Sequence, residues 1–306
     1  MSMRLVRVTR LSLPGLAILL CLVGSFVFSG CGIDTHPGAA AVVAATDVWG
    51  SVARAVVGSH VAVKAILAGA AADPHSYQAT AADAAALADA DVVVYNGGGY
   101  DPWVDRLLAE HPHIRSVDAY ALLDAVVEGT PPDEHVFYNL SVAKSVAAAI
   151  AERLTVIDPT NASSYRANAA EFGRGADAIA DSERAIAAAY PSAGVIATEP
   201  VVHYLLAASG LVNRTPGAFA AANENGDDPA PADMASVLDL INRRQVAALL
   251  VNPQTTTAAT ADLQAAARRA GVPVTEVSEI LPAGTDYLTW QRNTVNDLAA
   301  ALRSGR

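Results

Sequence analysis

The chain has 306 residues and a formal net charge of −11, long enough for two lobes of ordinary domain size and acidic enough to repel the phosphates of a nucleic-acid partner. Its two cysteines, Cys21 and Cys31, fall in or directly after an apolar N-terminal stretch, which leaves no cysteine in the body for an internal disulfide or a thiolate metal site. A metal bound there is held by nitrogen and oxygen, and the acidic charge reads either as an attraction for cations or simply as what keeps the protein soluble.

Residues 1–30 read as an export signal: Arg4, Arg7 and Arg10 precede an almost wholly apolar run from Leu11 to Phe28. Ser29-Gly30-Cys31 resembles a bacterial lipobox, with Phe28 where leucine is usual, and makes Cys31 the lipidated start of the mature chain. The alternative is an uncleaved membrane anchor, because a run of about 18 apolar residues approaches the minimum bilayer span. Either way the body lies outside the cytoplasmic membrane. Residues 31–40, rich in Gly, Pro and Ala and without periodicity, read as a tether.

From residue 41 the pattern is βαβ. Short apolar runs at 41–46, 61–67, 91–95 and 114–117 predict strands, with helices over 48–57, 80–89 and 101–110 between them and Gly58 ending the first. Asn96-Gly97-Gly98-Gly99 lacks both the spacing of a dinucleotide fingerprint and the lysine of a P-loop, so it reads as a tight strand-to-helix turn. Asp101 is expected to cap the following helix, with Pro102 at its first position, and Ser141 to cap a helix over 141–154. After Asp158-Pro159 the larger residues Tyr165, Phe172, Ile179 and Ile186 recur on one helical face, and no proline intervenes before Pro191. That spacing predicts one long helix, weakened in the middle by Gly173 and Gly175 and possessing the reach to bridge two lobes. The second half repeats the alternation, with strands at 195–197, 246–251 and 272–277 and helices at 201–209, 257–270 and 286–302. The expected fold is α/β: an N-terminal lobe over 41–156, a bridging helix over 157–190 and a C-terminal lobe over 191–306, with parallel-rich sheets and a ligand site in the cleft.

Four residues share one address beyond the carboxyl ends of strands, where open parallel sheets bind ligands: His75, His135, Glu199 and Glu279. Two imidazoles and two carboxylates suit a divalent metal ion. Read singly, each is open to a plainer role, as a cap, a solvated histidine or a surface acid. His111 and His113 read as surface residues, and His203 lies one turn after Glu199 on the same helical face.

Asp73-Pro74-His75-Ser76-Tyr77 resembles the first-ligand motif of the zinc/manganese solute-binding proteins of ABC importers, and Glu134-His135-Val136-Phe137-Tyr138-Asn139 resembles the second. Thr198-Glu199-Pro200 is similar to the third, and Val277-Ser278-Glu279-Ile280 falls where a fourth acidic ligand is expected, with glutamate in place of the usual aspartate and Asp286 as the alternative. The resemblance extends over nearly the whole body. It implies two lobes clamped on a rigid helix, a metal held by His75, His135, Glu199 and Glu279, no catalysed reaction, and delivery of the ion by a membrane-tethered monomer to a permease and its ATPase. Two histidines with two acids go with manganese in that family, and 121–134 lacks the histidine-rich loop that many zinc members carry, so manganese is favoured over zinc. A metal-dependent hydrolase, which needs an open coordination position, and a surface adhesin are the alternatives.

Overall fold

The apolar runs of the first half assemble into one parallel sheet. The computed structural model describes residues 41–69, 74–124 and 132–305; the signal, Cys31, the tether, Asp73 and most of the polar loop before His135 lie outside them. Strands β1 (Ala41–Thr46), β2 (Ala62–Leu67), β3 (Val92–Tyr95) and β4 (Arg115–Asp118) lie in the order β2-β1-β3-β4, every pairing parallel. Helices α1 (Asp47–Val57), α2 (Ala81–Ala88) and α3 (Pro102–Glu110) make the crossovers. The two central strands are buried along nearly their whole length, which is why they read as continuous apolar runs rather than as alternation.

A short 3₁₀ turn, Val136–Tyr138, leads from the first sheet into α4 (Leu140–Ile157) and then α5 (Ala162–Ala189). The second half contains β5 (Gly194–Ala197), α6 (His203–Ala208), β6 (Val212–Asn213), α7 (Gly217–Glu224), α8 (Pro231–Asn242), β7 (Leu249–Val251), α9 (Ala258–Ala270), β8 (Val274–Glu276) and α10 (Tyr287–Ser304). Its sheet has the order β6-β5-β7-β8, again all parallel, so the two halves repeat one topology. In each, the chain reverses direction across the sheet between the first and third strands, and the crevice at their carboxyl ends is the ligand position of such folds.

The long helix is continuous over 28 residues, about 42 Å at 1.5 Å per residue. Tyr165, Phe172, Ile179 and Ile186 are buried as their spacing predicts, and the helix packs on α1 and α4 from the first half and on α6 and α10 from the second. One apolar core runs along it, from Val42 and Val92 through Ile150 and Phe172 to Leu250 and Leu298. Gly175 does not break α5. A Cβ there would lie 2.6 Å from Leu288 Cδ1, so the glycine is where α10 comes closest to the long helix.

Three elements were not expected from the sequence: β6, which is two exposed residues long, and the helices α7 and α8. Two expected caps are also corrected. Asn139, not Ser141, caps α4, its side chain accepting from Ser141 N and Val142 N. Asp101 stands at the N-terminus of α3, but its carboxylate turns back to accept from Asn96 N and Gly97 N, each at 2.8 Å. Asp101 therefore clamps the glycine turn rather than capping the helix.

Candidate metal centre

The β3–α3 turn sets the first half of the site. Gly97, Gly98 and Gly99 all have positive φ, and a side chain on Gly97 or Gly98 would collide with Asp118 or Tyr120. The turn they make is held by Asp101, whose carboxyl burial pushes up to about 7 although two backbone N–H groups oppose the shift. It presents the buried Asn96, which accepts from Trp49 Nε1 at 3.2 Å and donates to the carbonyl of Glu134 at 2.8 Å. Tyr120 Oη donates to the carbonyl of Pro132 at 3.0 Å, and Tyr204 Oη, from the other half, donates to that of Asp133 at 2.6 Å. Three side chains thus hold the backbone carrying His135.

His135 is 1% exposed, and its Nδ1 lies 2.9 Å from Asp133 Oδ1. An Nδ1–H donated to that carboxylate leaves the lone pair on Nε2, the atom that faces the cleft. Nε2 is buried without a hydrogen-bond partner and lies 3.6 Å from Glu224 Oε1. Burial alone would lower the pKa of this imidazole, but the hydrogen bond to Asp133 and the charges of Asp133, Glu279 and Glu224 outweigh it and hold the pKa above the ordinary histidine value.

His75 sits in the turn before α2, whose start is fixed by a capping box between Thr80 and Asp83 and by Tyr77 Oη donating to Asp83 at 2.7 Å. The His75 and His135 ring centroids are 6.0 Å apart, and the Tyr100 ring packs edge-on against both. His75 Nδ1 lies 3.3 Å from Glu134 Oε1.

Glu199 and Glu279 enter from the second half. Glu199 lies two residues after the end of β5 and is 3% exposed. Asn252, just beyond β7 and so across the crevice from β5, donates to Glu199 Oε2 at 2.9 Å and to Glu279 Oε1 at 3.1 Å, tying the two carboxylates together. Thr255 Oγ1 donates to Glu199 Oε1, and Tyr100 Oη reaches Glu279 Oε2 at 3.4 Å. Asp286 does something else. It caps α10, accepting from Thr289 N at 2.9 Å and Thr289 Oγ1 at 2.7 Å. His203 is exposed, and His111 and His113 pair with each other at the end of α3.

The four sequence-expected residues therefore meet in one region, with Tyr100 in contact with His75, His135 and Glu279. Two carboxylates not singled out from the sequence also lie beside the imidazoles: one donor atom from each of His75, Glu134, His135 and Glu224 lies within 4.8 Å of every other. Glu134 belongs to the second-ligand motif, in which the histidine beside it is the expected ligand. Glu224 ends α7, next to Asn223, whose buried amide donates to the carbonyl of Thr198 at 3.2 Å and so ties α7 to the segment bearing Glu199. Burial pushes the Glu224 carboxyl up to about 7, with His135 opposing and Glu134, Asp133 and Glu199 adding to the rise.

A buried imidazole nitrogen with its lone pair turned into a ring of carboxylates is the donor set of a divalent cation. The sequence profile of the family described as zinc-uptake complex component A, periplasmic, matches residues 42–301. The chain belongs to this family. The manganese-binding lipoprotein MntA of Bacillus subtilis is 28% identical over 161 residues, 49% of this chain and 52% of that protein, so the alignment spans about half of the relative's length. Among solved structures, the periplasmic zinc-binding protein TroA of Treponema pallidum superposes with a TM-score of 0.73 at 20% identity, covering 87% of this chain and 99% of TroA. FpvC of Pseudomonas aeruginosa, solved with Mn²⁺, gives 0.72 at 22% identity, covering 87% and 99%. Both share the fold of two parallel sheets and a long helix.

Proposed function

We propose that the protein is the extracytoplasmic receptor of a metal importer, binding one divalent transition-metal ion between its halves with His75, His135, Glu199 and Glu279 and handing it to an ABC permease driven by its ATPase. The ion is cargo and no reaction is catalysed. Residues 1–30 serve as the signal, Cys31 carries the lipid, 31–40 tether the body to the outer face of the cell membrane, and the receptor works as a monomer.

The observation that carries this reading is the buried Nε2 of His135, its tautomer set by Asp133, facing His75 and carboxylates from both halves. Manganese is favoured over zinc because the donor set is rich in hard oxygen. MntA and FpvC, named with manganese, and TroA, named with zinc, bracket that choice. The test is metal analysis of protein purified without chelator, followed by competition between Mn(II) and Zn(II). One equivalent per chain is expected in the wild type, and His135→Ala should lose it while melting as a folded protein. Retention of the metal by His135→Ala would remove the basis of the assignment.

A further inference from the structure

Glu199 and Glu279 are held by other side chains: Asn252 donates to both, Thr255 donates to Glu199, and Tyr100 donates to Glu279. To ligate an ion they must give up or share those bonds. The Glu134 and Glu224 carboxylates lie 3.3 Å from His75 Nδ1 and 3.6 Å from His135 Nε2. Tetrahedral donors around one ion with bonds of about 2.0 to 2.2 Å lie about 3.3 to 3.6 Å apart; the His75–Glu134 and His135–Glu224 contacts already have that spacing, and four atoms within 4.8 Å of one another reach it by side-chain shifts of about 1 Å. Access points the same way. The side chains of His75, Glu134 and Glu224 are 27%, 31% and 26% exposed, whereas His135 is 1% and Glu199 3% exposed. Glu279 is half-buried like the first three, so it is Glu199 that solvent reaches least among the carboxylates.

We propose that an incoming divalent cation is first ligated by His75, Glu134, His135 and Glu224, a capture shell that shares its histidines with the final site and differs from it in both carboxylates. Glu224 is placed for this by α7, whose Phe219 is in the core and whose Asn223 is bonded to Thr198. The inference rests on the metal-receptor reading.

The experiment is stopped-flow association of Mn(II) and Zn(II) with the full chain, comparing wild type with Glu134→Gln, Glu224→Gln, the double variant, Glu199→Gln and Glu279→Gln, all checked for an unchanged metal-free melting temperature. The double variant should associate at least ten-fold more slowly, and Glu224→Gln alone at least three-fold. Glu199→Gln and Glu279→Gln should chiefly speed dissociation. Since removing negative charge also weakens steering, the rates are repeated at about 1 M salt, where the Debye length falls to about 3 Å. A deficit that persists there supports ligation. A deficit that salt abolishes, or a double variant less than three-fold slower than wild type, overturns the capture shell. If wild type takes up no metal, or His75→Ala and His135→Ala bind normally, the receptor reading fails instead.

Discussion

The two halves of the molecule repeat one sheet topology, yet they equip the cleft in different ways. The first half contributes both imidazoles, and the chain that carries His135 is held at its backbone carbonyls, by Asn96 on the Asp101-clamped glycine turn and by Tyr120, with Tyr204 added from the second half. The second half contributes Glu199 and Glu279, and it restrains them through side chains, with one amide, Asn252, bonded to both. A backbone clamp persists whatever the ion does, whereas side-chain bonds to a carboxylate can be exchanged for a metal. The first half is thus the wall held at its backbone, the fixed wall, and the second the wall held by side-chain bonds, the exchangeable one.

Proton competition gives the largest expected effect and probes the fixed wall. His135 is held above the ordinary histidine value, and both imidazoles bind metal only when deprotonated. Affinity should therefore fall as pH drops, by about ten-fold per pH unit for each group protonated, and by at least 100-fold between pH 8 and pH 5. A titration series that is flat over that range would contradict imidazole ligation. The exchangeable wall is tested by Asn252→Ala, which leaves Glu199 and Glu279 without their common partner. By the usual weight of groups that orient ligands, metal affinity should drop by about 10- to 100-fold, with association little changed.

Glu183 probes the helix between the two walls and gives the smallest effect. It is 3% exposed on α5, its Oε1 has no hydrogen-bond partner among the described residues, and burial pushes its carboxyl up to about 7. The native state therefore binds a proton more tightly than the unfolded chain, so the charge penalty is absent below about pH 4.5 and grows as pH rises towards 7. Glu183→Gln should stabilise the protein at pH 8, on the order of 2 kcal/mol, with little change at pH 4. Urea denaturation at the two pH values measures the difference, and equal effects at both would show that the carboxyl is not penalised by burial.

The same contrast explains what was legible in the sequence. The strands and helices between residues 41 and 118 follow directly from apolar runs and turn residues, and the four-residue face from Tyr165 to Ile186 fixes the long helix. His75 and His135, each open to a plainer role when read singly, stand out through the motifs Asp73-Pro74-His75-Ser76-Tyr77 and Glu134-His135-Val136-Phe137-Tyr138. Glu224 did not, since α7 opens on a glycine, is mostly alanine and shows little apolar contrast; only its docking, through Phe219 and Asn223, gives the acid a place in the cleft. For α8 a signal was present in Met234, Val237 and Ile241, which share one helical face. Asp101 illustrates a different limit. An acid before a proline reads locally as a helix cap, and only the folded turn shows its carboxylate bonded to the end of β3.

The most direct test of the central claim is calorimetric titration of the metal-free full chain with Mn(II) and Zn(II), beside the double variant His75→Ala, His135→Ala. The account predicts one ion per chain with release of protons in the wild type, and no saturable binding in the variant although it melts cooperatively. Binding of equal stoichiometry and affinity in the double variant would contradict it.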